Sequence, residues 1–232
     1  MLVTHGQAAV EALDVRASGS VAAMTGPVSL HPPALLDDTA IARTPPALAA
    51  IQAETAKLGF SMASEPKTGA FLAALAAAKP GGRLLELGTG TGIGTAWLLS
   101  GMDASARLDT VDTDPAVVDV ARRHLGGDAR VAFRVEDGGA FLARADPDTY
   151  DLVYADAWPG KFTDLDAALG CVRQGGFYVI DDLLPQENWP DGHGVKVGAL
   201  IADLEGRPGF AVVRLAWASG LMLAVRQAPS PR

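Results

Sequence analysis

The chain has 232 residues, almost half of them apolar, with a formal net charge of −8. This length suits one α/β domain with an added N-terminal segment, and the apolar content can form a sizeable core. The acidic balance and the lack of a basic stripe disfavour a nucleic-acid partner. The single cysteine excludes an intrachain disulfide, and no signal peptide or apolar run long enough to span a membrane is visible, so a cytoplasmic protein is expected.

The N-terminal part of the chain differs in composition from the rest. Residues 1–45 are rich in glycine and proline and show no long apolar periodicity, so we expect a partly ordered arm ahead of a domain at 46–232. Helices are predicted at 46–58, where proline occupies the first turn, and at about 66–78, where alanines favour helix.

From residue 83 onward, short apolar runs alternate with helical stretches. Helices are predicted near 93–101, 115–125, 138–144, 162–173 and 195–205. Strands are predicted at 83–87, 108–111, 130–135, 150–155, 177–180, 211–217 and 221–226. Such alternation indicates a parallel sheet with helices on both faces. Only three residues separate the last two strands, so these should form an antiparallel hairpin. The predicted fold is therefore α/β, with a Rossmann-like, seven-stranded, mostly parallel sheet that ends in an antiparallel C-terminal hairpin.

A glycine-rich turn joins the first strand to the helix that follows. Its glycines are Gly88, Gly90 and Gly92. A dinucleotide fingerprint needs glycines at positions one, three and six, and position six is Ile93 or Thr95 here, depending on the starting glycine. A phosphate-binding loop would need Gly-Lys-Ser/Thr, which is absent. Just before the turn, a carboxylate at Glu86 suits the ammonium of an amino-acid group better than a pyrophosphate.

Two further carboxylates follow the second and third strands. Asp112 is placed to accept both hydroxyls of a ribose, a feature that dinucleotide sites share. Asp137 is placed to accept the amino group of an adenine. For each, capping of the next helix is the alternative role, since Pro115 and Gly138 follow closely.

Taken in order, these segments resemble the class I S-adenosylmethionine (SAM)-dependent methyltransferases, and more narrowly the catechol and caffeoyl-CoA type O-methyltransferases. The similarity runs from about residue 46 to the C-terminus. It is carried by the segments 59–64, 85–92, 111–112, 150–156 and 175–182. The resemblance implies SAM as cofactor and a homodimer as one possible assembly. The expected cofactor-binding residues are Met62, Ser64, Glu86, Gly88, Thr89, Gly90, Gly92, Thr95, Asp112, Thr113, Asp137, Gly138 and Asp156.

Three carboxylates follow the fourth and fifth strands. Asp156, Asp181 and Asp182 would form a hard oxygen site suited to Mg²⁺, Mn²⁺ or Ca²⁺. In the resembling family the matching residues are Asp, Asp and Asn, and they hold a metal that binds the acceptor oxygens, so Asp182 departs from the pattern.

The family's catalytic lysine comes three residues after the first aspartate. Pro159 occupies that place here, and Lys161 comes two residues later. Asp156 and Lys161 are therefore the predicted catalytic pair. A solvated surface lysine is the alternative for Lys161.

Aromatic residues near the predicted active end could form the walls of a site for a flat acceptor. Trp158 and Trp189 are the candidates, with ordinary packing as the alternative. His193, in the long loop 183–194, is a candidate general base, or an exposed loop histidine without that role.

The leading hypothesis for function is methyl transfer to a hydroxyl of a small, catechol-like molecule, assisted by a divalent metal. Transfer to nitrogen, sulfur or a tRNA base stays open, as does a non-catalytic SAM-binding role. A nicotinamide dehydrogenase is disfavoured by the missing sixth-position glycine.

Overall fold

A computed structural model describes residues 41, 43–187 and 189–228. Most of the predicted N-terminal arm lies outside these residues. The helices are α1 (Leu48–Leu58), α2 (Pro66–Ala77), α3 (Ile93–Gly101), α4 (Pro115–Leu125), α5 (Gly138–Leu142), α6 (Leu165–Cys171) and α7 (His193–Gly206). The strands are β1 (Arg83–Leu87), β2 (Arg107–Asp112), β3 (Val131–Val135), β4 (Tyr150–Ala155), β5 (Val172–Ile180), β6 (Phe210–Leu215) and β7 (Leu221–Arg226).

The strands form one seven-stranded sheet in the order β3-β2-β1-β4-β5-β7-β6. Strands β1 to β5 are parallel, whereas β7 pairs antiparallel with both β5 and β6. The predicted fold class, including the antiparallel C-terminal hairpin, is confirmed. Because chain order reverses on either side of β1, the carboxyl ends of β1 and β4 flank a crevice of the kind that binds ligands in open α/β sheets.

Side chains that alternate along the strands build an apolar core on each face of the sheet. On one face, Leu84 and Val179 pack with residues of α1 to α4. On the other, Leu85 and Ile180 pack with residues of α5, α6 and α7. Burial on both faces explains why these strands appear in the sequence as continuous apolar runs.

The largest difference from the predicted elements lies between α6 and β5. The predicted helix at 162–173 is shorter, because the backbone N–H groups of residues 161 to 163 all bond to the Trp158 carbonyl in a turn before α6. Strand β5 begins at Val172, five residues earlier than predicted. Val172 pairs with Tyr150, and the register then shifts before Leu152 pairs with Phe177. Gly175 and Gly176 lie inside β5 and interrupt its apolar pattern, so the sequence did not indicate the first half of this strand.

The turn between β6 and β7 reaches the loop that follows β5. The carbonyls of Ser219 and Gly220 accept hydrogen bonds from the backbone N–H groups of Leu184 and Leu183. The hairpin therefore fixes the course of the chain directly after Asp181 and Asp182. Within the described residues, no helix is long and apolar enough to cross a membrane.

Candidate active site

The glycine turn is held against the end of β2. The backbone N–H groups of Gly88 and Thr89 donate to the Val111 carbonyl, and that of Gly90 donates to Asp112 Oδ2 at 2.8 Å. Gly88 has φ +104°, and a Cβ there would lie 2.7 Å from the Asp156 carbonyl oxygen. Only glycine satisfies both requirements, so the turn passes close to the end of β4 without steric conflict.

A cavity of about 330 Å³ opens over this turn. It is lined by eight of the predicted cofactor-binding residues: Met62, Ser64, Gly88, Thr89, Gly90, Asp112, Thr113 and Asp156. The structure therefore brings predicted residues from four separate segments together at one cavity.

Glu86 lies beneath the cavity, near the carboxyl end of β1, and is almost fully buried. Its Oε2 accepts hydrogen bonds from the hydroxyls of Thr95 and Thr110, whereas Oε1 is buried and has no partner among the described residues. Burial raises the pKa of Glu86 to about 8, against the hydroxyl hydrogen bonds that lower it. Gly94 lines the cavity, and a Cβ there would overlap Oε1. The glycine therefore leaves an unpaired carboxylate oxygen directly behind the cavity wall.

Four predicted cofactor-binding residues, besides Glu86, do not line the cavity. Thr95 supports Glu86, and Gly92 packs against Ala121. Asp137 caps α5, accepting the Ala140 N–H at 2.8 Å, and Gly138 packs against Pro159. The structure thus gives Asp137 the role of a helix cap, and adenine recognition by this residue stays a prediction.

Lys161 lies in a second cavity, of about 250 Å³, beside the first. Its side chain is only 6% exposed, so the surface-lysine alternative is wrong. The ammonium lies 3.5 Å from Asp156 Oδ1 and 3.7 Å from Asp182 Oδ2. Burial raises the pKa of Asp156 to about 7; the Lys161 ammonium lowers it, and the neighbouring carboxylates raise it further.

Asp181 is buried directly behind this pair. Its Oδ1 accepts hydrogen bonds from the Ser219 hydroxyl and the Asp182 N–H, and its Oδ2 accepts one from the Tyr154 hydroxyl at 3.0 Å. Burial, followed by the charge of Asp182, raises the pKa of Asp181. Both oxygens are therefore already in use within the protein.

The predicted metal site at Asp156, Asp181 and Asp182 is not supported by this arrangement. An ammonium lies between the first and third carboxylates, and the second carboxylate already accepts three hydrogen bonds from hydroxyl and amide donors. Across residues 41, 43–187 and 189–228, no group of three or more His, Cys, Asp or Glu side chains is arranged to hold a metal ion. The donor set does not fit a divalent cation, which needs several free oxygen ligands.

Aromatic side chains form the outer part of the second cavity. The His193 ring lies 5.1 Å from that of Phe162 and 4.8 Å from that of Trp189, and Trp158 packs edge-on against Phe162 at 5.5 Å. His193 begins α7 and is half-buried in this cluster, so the alternative of an exposed loop histidine is wrong. The cluster provides flat apolar surfaces beside the Lys161 ammonium.

The two cavities share a wall. Six residues from two segments line both: Met62, Ala63, Ser64, Asp156, Ala157 and Trp158. A ligand over the glycine turn and a ligand among the aromatic rings would therefore lie next to the same six residues.

Comparison with known proteins identifies the family. A family model described as a methyltransferase domain matches residues 85–183. A Mycobacteroides abscessus protein named "Putative O-methyltransferase" is 33% identical over 174 residues, which cover 69% of this chain and 80% of that protein. The chain belongs to the SAM-dependent O-methyltransferases.

Solved structures share the fold of this chain. The cofactor-bound Rv0187 structure from MTB has 26% identity and a TM-score of 0.71, with 83% of this chain and 94% of that chain covered. A Bacillus cereus O-methyltransferase in complex with SAH has 20% identity, a TM-score of 0.70, and coverage of 82% and 94%, and it shows a shared fold.

Sequence reasoning missed several residues that line the cavities of this O-methyltransferase. In the first cavity they are Phe60, Asp114, Val117 and Ala157; in the second they are Glu65, Phe162, Gln186, Pro190 and Ser219. Most are direct neighbours of predicted site residues, so their position in the chain was an available signal. Ser219 is far in the chain from every predicted site residue, and it reaches the site from the β6–β7 turn.

Proposed function

We propose that this O-methyltransferase transfers the methyl group of SAM to a hydroxyl of a small, flat aromatic molecule. The observation that carries the proposal is the wall shared by the two cavities. One cavity has carboxylates that suit SAM, and the other has aromatic rings around a buried ammonium. Methyl transfer requires the two reactants to be held in contact and in line, which a shared wall supports.

The first cavity suits the separate parts of SAM. Glu86 Oε1 would accept the ammonium of the methionine part, which explains an otherwise unpaired buried oxygen. Asp112 would accept the ribose hydroxyls, and Met62 and Ser64 would lie along the methionine part. Each of these assignments is part of the proposal.

The reaction forms one bond and breaks another. The acceptor oxygen attacks the SAM methyl carbon while the carbon–sulfur bond breaks, and its electron pair stays on sulfur to give S-adenosylhomocysteine. The hydroxyl proton passes to the Asp156 carboxylate. A pKa of about 7 suits Asp156 to accept a proton near neutral pH, because general bases work best when their pKa lies near the operating pH.

Trp158, Trp189 and His193 would contact the acceptor ring. Their cluster with Phe162 leaves flat faces and edges of the kind that aromatic ligands pack against. We expect Trp189→Ala to raise the KM for the acceptor about tenfold and to leave the SAM affinity unchanged, because Trp189 lines only the acceptor cavity.

Other features of the hypothesis stay predictions. A Mg²⁺ ion at Asp156, Asp181 and Asp182 meets a poor donor set, so no step is assigned to it. A homodimer is tested by sedimentation, and a cytoplasmic location by cell fractionation. The role of residues 1–45 as an arm outside the domain is tested by limited proteolysis.

An acceptor screen with methyl-labelled SAM tests the function. Phenols, catechols, amines, thiols and tRNA are offered in parallel, each with and without Mg²⁺. We expect label on the hydroxyl acceptors. Label on amines, thiols or tRNA alone would contradict the hydroxyl proposal, and SAM binding without transfer to any acceptor would favour a non-catalytic role.

A further inference from the structure

The acid cluster of the acceptor cavity already contains a cation. Asp156 and Asp182 face each other across the Lys161 ammonium, at 3.5 and 3.7 Å from its nitrogen. Asp182 Oδ1 also accepts a hydrogen bond from the Gln186 amide at 2.7 Å. The ammonium thus occupies the position between carboxylates where a metal would have to bind.

The backbone holds Lys161 in this position. Gly160 has φ +90°, and a Cβ there would lie 2.7 Å from the Leu87 side chain. The Gly160 N–H donates to the Thr163 carbonyl, and its carbonyl accepts the Tyr178 hydroxyl. The Lys161 N–H donates to the Trp158 carbonyl. The backbone at Gly160 and Lys161 is held by these hydrogen bonds and packs against β1. The Lys161 backbone therefore has little freedom to move away from the cavity.

Asp181, the remaining carboxylate, is already engaged inside the protein. It is 1% exposed, and its two oxygens accept hydrogen bonds from Ser219, Tyr154 and the Asp182 backbone. A metal ion at Asp181 would have to share the carboxylate with these three donors. Buried hydrogen bonds are costly to lose without replacement.

We propose that the Lys161 ammonium is the cation of this active site, taking the place of a divalent metal. The inference rests on the proposed transfer to a hydroxyl. In that transfer the ammonium donates a hydrogen bond to the acceptor oxygen and stabilises its negative charge as the proton leaves and the bond to methyl carbon forms. Lys161 is then a catalytic residue, and added metal is not required.

Two measurements on the whole enzyme test this inference. The first is Mn²⁺ binding to the chelator-treated protein, followed by electron paramagnetic resonance, with the metal alone as the probe. We expect the Mn²⁺ to stay free. Stoichiometric Mn²⁺ binding that is lost in Asp156→Asn would overturn the inference, whatever the enzyme's activity.

The second measurement compares kcat in Lys161→Met and Lys161→Arg. We expect Lys161→Met to lower kcat about 100-fold, the usual loss for one donor to a developing oxyanion, and Lys161→Arg to recover part of it. Wild-type kcat should not change with a chelator. Full activity in Lys161→Met, or loss of wild-type activity with the chelator, would refute the assignment.

Controls separate this inference from the proposed function. SAM binding measured by calorimetry shows that each Lys161 variant is folded, since Lys161 does not line the SAM cavity. Lys57→Met removes an exposed lysine from α1 and should behave as wild type. If no hydroxyl acceptor is methylated, the transfer proposal fails, and Mn²⁺ binding alone then decides the cation assignment.

Discussion

Glu86 is a buried carboxylate with an oxygen that the described residues leave unpaired, an arrangement that proteins seldom keep unless a ligand pairs with it. It is a carboxylate near the carboxyl end of a buried strand, and one of its oxygens has no partner among the described residues. Burying a charged group without partners is costly, so the apo protein keeps Glu86 protonated, with a pKa of about 8. The SAM ammonium would remove this cost by pairing with Oε1.

Proton release on SAM binding follows from this state of Glu86. At pH 7 a group with a pKa of about 8 is mostly protonated, and pairing with the ammonium would ionise it. We expect SAM binding at pH 7 to release roughly one proton. Calorimetry in two buffers of different ionisation enthalpy measures this number.

Glu86→Gln is the matched variant for this experiment. It should release no proton from this position and bind SAM roughly 10- to 100-fold more weakly, as expected for the loss of a hydrogen bond between charged groups. Equal proton release by wild type and variant would remove Glu86 from the cofactor site.

The stability of the apo enzyme should also depend on Glu86. Because the folded-state pKa is raised from 4.5 to about 8, the contribution of Glu86 to stability is fully present below pH 4.5 and is lost as the pH rises towards 8. We expect Glu86→Gln to flatten the fall in unfolding free energy over this window, a difference on the order of 3 kcal/mol. Urea unfolding at pH 5, 6, 7 and 8 measures it; identical profiles would contradict the assigned pKa.

At the level of single residues, the sequence predicted best where a side chain follows a strand directly. Asp112 and Asp156 were located in this way. Lys161 could not be placed, because its position depends on the turn in which three N–H groups bond to the Trp158 carbonyl. Asp137 lies at a strand end too, but its carboxylate satisfies the local backbone of α5.

At the level of elements, Asp112 connects the glycine turn with the end of β2 and the start of α4. Its Oδ2 accepts the Gly90 N–H at 2.8 Å, and its Oδ1 accepts the Asp114 N–H at 3.0 Å. An ionised carboxylate can do both, whereas an amide offers one acceptor oxygen. One side chain therefore links the glycine turn to the residue before α4.

Asp112→Asn should lower SAM affinity about tenfold or more. One of the two hydrogen bonds that the side chain accepts from backbone N–H groups is lost, and the hydrogen bond to the ribose is weakened. Calorimetric titration with SAM measures the effect. Asp119→Asn on the exposed face of α4 is the control and should leave affinity unchanged. Unchanged affinity in Asp112→Asn would mean that neither the turn nor the ribose depends on this carboxylate.

Element boundaries were predictable where apolar runs ended at polar residues. The bounds of β1, β4 and β7 agree with the prediction. The division between α6 and β5 was not predictable, since Val172 continues the apolar pattern of the helix and its pairing with Tyr150 is a contact between distant residues. Tertiary pairing decided the conformation of that segment.

At the level of the whole molecule, the C-terminal hairpin completes the active site. The β6–β7 turn bonds to the loop after β5, and its Ser219 hydroxyl donates to Asp181. Residues 38 positions apart are thereby fixed next to each other. No local pattern in the sequence indicates this contact, although the hairpin itself was predictable from its short connection.

Gly220 allows the β6–β7 turn to lie close to the loop that follows β5. It has φ +91°, and a Cβ there would lie 2.5 Å from the Leu184 backbone nitrogen. We expect Gly220→Ala to destabilise the enzyme by about 2 kcal/mol or more and to lower kcat through displacement of Ser219. Urea unfolding and steady-state kinetics measure the two effects.

Gly209→Ala is the control for backbone strain. Gly209 has φ +82° but nothing within 4 Å of its Cβ position, so it should lose only about 1 kcal/mol and keep its kcat. Equal losses of stability and activity in the two variants would show that the contact between the hairpin and the loop has no role in the site.

The wall shared by the two cavities has a consequence for inhibitor design. Among the described residues, the segments 62–64 and 156–158 line both the space above the glycine turn and the space among the aromatic rings. One molecule that joins an adenosyl group to an aromatic ring through a short linker should fill both spaces. Binding of such a bisubstrate compound costs the translational freedom of one molecule, whereas separate binding of SAM and acceptor costs that of two. The compound would compete with SAM and with the acceptor at the same time.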